Sequence, residues 1–139
     1  MGIKNCFLLL FLFCINLGFA QKEISLNGDW EIVFDHHNEG AKALWHENDI
    51  FQSLEYKRKI KVPSSWELIE QDYEGVAFYR YAFEVPKDWE GKIIRLQFDA
   101  VNYLSEIWLN DEVVGFHEGG FTPFEFRVDN MIQAGKKIS

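Results

Sequence analysis

Apolar residues recur at alternate positions along four stretches of the chain. Trp30, Ile32 and Phe34 form the first set. The pattern returns in Tyr79-Tyr81-Phe83-Val85 with Arg80 and Glu84 among the residues opposite, and in Ile94-Leu96-Phe98 opposed by Arg95, Gln97 and Asp99. Phe124-Phe126-Val128, opposed by Glu125 and Arg127, is the fourth case. A strand points successive side chains to opposite faces, so a period of two predicts half-buried strands. Turn-forming residues separate the runs at Val62-Pro63-Ser64-Ser65, Val85-Pro86-Lys87-Asp88, Glu90-Gly91-Lys92, Asn110-Asp111 and Glu118-Gly119-Gly120. Short strands between frequent turns predict an all-β sandwich or barrel. Residues 36–56 are the least regular stretch and read as a long connection with one turn of helix around residues 41–43. Residues 129–139 read as a turn, a glycine loop at Gly135 and the first residues of another strand, so the fold is expected to be truncated at its C-terminal strand.

The first 20 residues follow a different rule. Lys4 precedes the apolar run Cys6-Phe7-Leu8-Leu9-Leu10-Phe11-Leu12-Phe13-Cys14-Ile15, and Gly18-Phe19-Ala20 supplies a small-x-small exit. That arrangement predicts a secretory signal peptide over 1–20, cleaved after Ala20, and a periplasmic or extracellular protein with no membrane attachment after cleavage. The run is shorter than the roughly 20 apolar residues that a bilayer span needs. Both cysteines of the chain lie in this leader, so residues 21–139 hold no disulfide, thiol nucleophile or cysteine-zinc site. A chain of this length buries enough surface for one domain.

Fourteen basic against 22 acidic residues give a formal net charge of −8. Nucleic acids and anionic membranes require a basic footprint, so neither is an expected partner.

Six ordered pieces resemble the N-terminal sugar-binding domain of family 2 glycoside hydrolases. They are Leu26-Asn27-Gly28-Asp29-Trp30, Val62-Pro63-Ser64-Ser65-Trp66, Phe78-Tyr79-Arg80 with Phe83-Glu84-Val85-Pro86, Arg95-Leu96-Gln97-Phe98-Asp99-Ala100-Val101, Ile107-Trp108-Leu109-Asn110, and Gly119-Gly120-Phe121-Thr122-Pro123-Phe124-Glu125. Asp99-Ala100-Val101 and the Gly119-Gly120 piece look closest to β-glucuronidases. Residues 67–76 lack the proline-tyrosine segment with a sugar-holding asparagine that large β-galactosidases of the family carry. The resemblance implies a jelly-roll β-sandwich similar to galactose-binding domains, spanning 21–139. It also implies a longer enzyme that hydrolyses O-glycosyl bonds with two glutamates of a downstream barrel, binds carbohydrate and forms a homo-oligomer when full length. A stand-alone carbohydrate-binding module and a surface adhesion domain are the alternatives.

Retaining hydrolysis needs two carboxyl groups about 5–5.5 Å apart. No position here corresponds to the family's pair, so the chain is expected to hold no catalytic residue. No cofactor is expected. His117-Glu118-Gly119-Gly120-Phe121 opens like a zinc-protease motif but has Phe121 where the second histidine belongs, and it lies between strands rather than on a helix. His36, His37 and His46 fall in the irregular connection and are expected to face solvent, so no metal site is expected. Aromatic side chains serve cores as readily as sugar platforms. Trp30 and Trp108, within strands, are read as core. Trp66 beside the proline turn, and Asp72 and Tyr73 in the loop that follows, are the candidate carbohydrate contacts.

Overall fold

The computed structural model describes residues 21–139, so the signal-peptide reading of 1–20 lies outside the described residues. The described residues fold as a β-sandwich of nine short strands. β1 (Gly28–Asp35) is the centre of an antiparallel sheet in the order β2-β1-β3, with β2 at Arg58–Val62 and β3 at Val76–Arg80. Three further antiparallel pairs follow: β4 (Phe83–Glu84) with β9 (Lys137–Ile138), β5 (Arg95–Phe98) with β8 (Phe124–Arg127), and β6 (Leu104–Leu109) with β7 (Glu112–Glu118). One short helix, α1 (Asn48–Ser53), lies in the connection between β1 and β2.

The alternation expected for β5 and β8 is present. Leu96 pairs with Phe126 and Phe98 with Phe124, while the exposed Gln97 faces Glu125. Leu96 and Phe126 pack against a core of Val85, Leu109, Val128 and Ile138. The β6–β7 hairpin turns on Asn110 and Asp111, both at positive φ (49° and 69°), the conformation a two-residue loop requires to match strand twist.

β1 departs from the expectation. Ile32, Val33, Phe34 and Asp35 are buried in succession, so neither face of the strand meets water. The even face packs Ile32 and Phe34 with Ile60, Trp30, Trp66, Ile69, Tyr73 and Ala77. The odd face is covered by the irregular connection. Register pairs Val33 with Phe78 and Glu31 with Arg80, which places these side chains on one side of the sheet. There Trp45 meets Phe78 edge to face, and Phe51 of α1, only 1% exposed, lies beneath the Arg80 guanidinium.

The connection is held by Asp35, whose carboxylate accepts the backbone N–H groups of Glu39 (2.9 Å) and Gly40 (2.7 Å). A Cβ at Gly40 would come within 2.5 Å of the Phe78 ring, so only glycine fits the turn. Hydrogen-bonded turns occupy 40–46, and the helix forms later than expected, over 48–53.

The expected strand through Tyr79-Tyr81-Phe83-Val85 is two strands with different partners. β3 ends at Arg80 on β1, and β4 pairs with β9. Its polarity near the break is inverted: Tyr79 is 38% exposed and Arg80 only 9%. Arg80 can be buried because its charge is answered on several sides. Nη2 donates to Ser139 Oγ (2.6 Å), Nη1 to the His46 carbonyl (3.4 Å), and the Phe51 ring lies below.

Candidate functional site

The proline turn after β2 brings two of the three expected sugar contacts together. Ser65 caps a short 3-10 turn over Trp66–Leu68 by accepting the Glu67 N–H (3.3 Å). The chain returns through 69–75 so that Trp66 and Tyr73 meet edge to face, ring centroids 5.8 Å apart. Both also pack edge to face against Phe34, at 6.3 and 5.0 Å. Tyr73 donates its hydroxyl to the Val76 carbonyl (2.8 Å), and burial together with the nearby Asp35 carboxylate pushes the phenol above its ordinary pKa. Trp66 is thus a half-buried flank of the β1 core rather than a free platform. Asp72 stands apart, exposed at a positive φ of 57°.

Beside this cluster Glu70 is clamped by His36 Nε2 (2.9 Å to Oε1) and Arg58 Nη2 (2.9 Å to Oε2), and Arg58 also donates to the Ile69 carbonyl (3.2 Å). The turn is therefore stapled to β2 and to the end of β1.

The tryptophans expected in the core divide differently. Trp30 is half-buried against the Ile32 cluster, its indole N–H donating to the Leu26 carbonyl (2.8 Å). Trp108 belongs to neither core cluster; it stacks on His46 at 4.9 Å, so His46 is half-buried rather than solvent-facing. A residue in a strand is not thereby interior when its sheet has an open side. Among the described residues no three His, Cys, Asp or Glu side chains converge as metal ligands would. Gly119, at φ +143°, lets the chain leave β7, while Gly120 lies so close to Asn102 that a Cβ would meet its Oδ1 at 2.7 Å.

On the other side of β1 lies a cleft of about 550 Å³. It is walled by Glu31, Asn48, Gln52, Arg80, Tyr81 and Lys137, with Ala82 and Ser139. Burial lowers the Arg80 pKa from its usual value, and the carboxylates of Asp111, Glu31 and Asp49 counter that by favouring the charge. The sequence offered no motif for this cleft, because its lining is one or two residues from each of several segments. Arg80 was its one legible sign, a cation inside an otherwise apolar stretch.

Residues 70–139 match the family model described as glycosyl hydrolases family 2, sugar binding domain. The chain is 29% identical over 141 residues to a β-glucuronidase of Bacteroides fragilis, covering 97% of this chain and 18% of that protein. A β-galactosidase of Thermoanaerobacter pseudethanolicus is 33% identical over 110 residues, 79% of this chain and 13% of that protein. The crystal structure of Ruminococcus gnavus β-glucuronidase superposes with a TM-score of 0.76 at 28% identity, over 86% of this chain and 21% of that one. The chain thus spans about a fifth or less of the length of these relatives.

Proposed function

From the premise that this chain belongs to family 2 of the glycosyl hydrolases and carries its sugar-binding domain, we propose that it is the N-terminal part of an exported β-glycosidase. The observation that carries the reading is the family match over 70–139, together with full-domain similarity to β-glucuronidases and β-galactosidases several times longer. The whole enzyme acts on a terminal β-linked sugar with retention, through two glutamates in the part that follows. Residues 21–139 form its jelly-roll module, wall the substrate cleft and support a homo-oligomer. The basic, apolar and small-residue succession of 1–20 supports export.

The coding region after Ser139 tests this. A frame continuing into a second sandwich and a (β/α) barrel, whose product hydrolyses a chromogenic β-glucuronide or β-galactoside, is the expected result. A stop codon there, with a folded product that binds sugar, would overturn it in favour of a stand-alone binding module. The 139-residue chain itself is expected to give no turnover on either substrate above a heat-killed control.

A further inference from the structure

We propose that Gln21 is a modification site, closed to an N-terminal pyroglutamate once the leader has been removed. The inference rests on the reading of 1–20 as an export signal cut after Ala20, and it adds the step that follows that cut. Cleavage at that bond makes Gln21 the first residue and frees its α-amine. Attack of the amine on the side-chain Cδ of the same residue closes an unstrained lactam. The bond formed is N–Cδ and the bond broken is Cδ–Nε2; Nε2 leaves as ammonia, carrying the proton that the amine gives up. Nothing is oxidised or reduced, and no co-reactant is required. An α-amine ordinarily titrates at about 7.7–8.0, so near neutral pH an appreciable share of it is the uncharged nucleophile. Carrying amine and amide on one residue replaces an encounter in solution by an intramolecular step, which raises the effective concentration of the reacting groups.

The structure leaves room for the reaction. Gln21 is exposed, and residues 21–27 run outside any strand or helix before β1 begins at Gly28. Ring closure therefore breaks no ladder hydrogen bond and displaces no core side chain. The chain behind it is tethered to the sandwich. Lys22 Nζ pairs with the carboxylate of Asp88, in the 3-10 turn Lys87–Trp89, and the Trp30 indole N–H holds the Leu26 carbonyl at 2.8 Å. The first residue thus stands in solvent at the end of an anchored segment, where amine and amide can meet without any rearrangement of the fold. The lactam carries no charge, so the mature chain loses its N-terminal cation, and it presents no amine to an aminopeptidase.

The chain is expressed with its own leader in an exporting bacterium and collected outside the cytoplasm. Its chymotryptic N-terminal peptide is weighed by mass spectrometry at harvest and again after incubation at about pH 8, where the amine is largely uncharged. The expected peptide begins at residue 21, is lighter than the open form by one ammonia, and gives no signal in stepwise N-terminal sequencing until pyroglutamyl aminopeptidase removes the ring. A synthetic peptide of residues 21–30 with a free amine, digested alongside, measures closure caused by handling. Gln21→Ser has no amide to close and is expected to give a readable N-terminus of unchanged mass throughout. A wild-type chain whose Gln21 stays open after the incubation, or closes no further than the handled peptide, would overturn the modification and leave export standing. A chain that still begins at Met1 would overturn the export reading itself. One that begins at any other residue would overturn the cleavage site, and the modification with it.

Discussion

In the sheet built on β1, four consecutive residues from Ile32 to Asp35 are buried, whereas in the β6–β7 hairpin Leu104, Glu106, Phe116 and Glu118 all face outward. Both strand systems carry apolar residues on each face: Val33 stands between Ile32 and Phe34 in β1, and Trp108 between Ile107 and Leu109 in β6. What separates them is what the chain lays over the second face. The connection of 36–57 returns across β1 and plugs it with Trp45 and Phe51, while the outer face of β6–β7 keeps Phe116 75% exposed. A residue's cost is therefore set by the cover above its strand and not by its place in the alternation.

The strongest way to break this comparison is to truncate one phenylalanine from each region. Phe51→Ala removes a fully buried ring from a segment that looks like a loop, and should cost about 3–5 kcal/mol. Phe116→Ala removes a ring from the middle of a strand and should cost under about 0.5 kcal/mol. Urea unfolding of the two variants measures both. Equal losses would mean that the connection does not close over β1 as described.

A smaller effect is expected at the anchor of that connection. Asp35→Ala leaves the Glu39 and Gly40 N–H groups without their acceptor, and a buried unsatisfied polar group costs about 1–3 kcal/mol. Asp35→Asn keeps one carbonyl oxygen and should lose less. If Asp35→Ala unfolds at the wild-type urea midpoint, the carboxylate is not what orders the turn at 36–40.

The same contrast explains what could be read from the sequence. Leu96, Phe98, Phe124 and Phe126 alternate against Gln97, Glu125 and Arg127 because one face of β5–β8 meets solvent, and the pattern alone located these strands. The Asn110-Asp111 turn was legible because its positive φ values suit those two residue types. Arg80 and Tyr79 were read inside out. A guanidinium's burial depends on Phe51, His46 and Ser139, which lie far away in the chain and have no local signature. Trp66 and Tyr73, named as separate candidates, meet edge to face because the chain doubles back between them, and their packing on Phe34 comes from tertiary structure. The cleft of Glu31, Gln52 and Lys137 was invisible because it forms only where separate elements, β1, α1 and β9, converge.

The smallest effect belongs to the solvent face of the β5–β8 pair, where charge takes the place that cover has on β1. Arg95 and Arg127 stand opposite each other in register, a repulsive arrangement relieved when Arg95 Nε reaches Glu125 Oε1 (3.0 Å) and Arg127 turns to Asp129. That second pair is a fork: Nε lies 2.6 Å from Oδ1 and Nη2 lies 2.9 Å from Oδ2. Hydrogen bonding by Arg127 lowers the Asp129 pKa from 3.8 to about 2. A carboxylate whose pKa is depressed by folding favours the native state above its unfolded value. That contribution fades as pH falls from about 3.8 through about 2, where the folded form takes up its proton. Over the physiological range it is constant, so melting temperature should not respond to pH through this pair. A carbon-detected titration of the Asp129 carboxyl should find its midpoint near 2, and Arg127→Gln should return it toward 3.8. Because Arg127 is exposed, added salt should move the midpoint upward as well. A midpoint unchanged by both Arg127→Gln and salt would remove the ion pair from the account and leave the opposed Arg95 and Arg127 without their counter-charge.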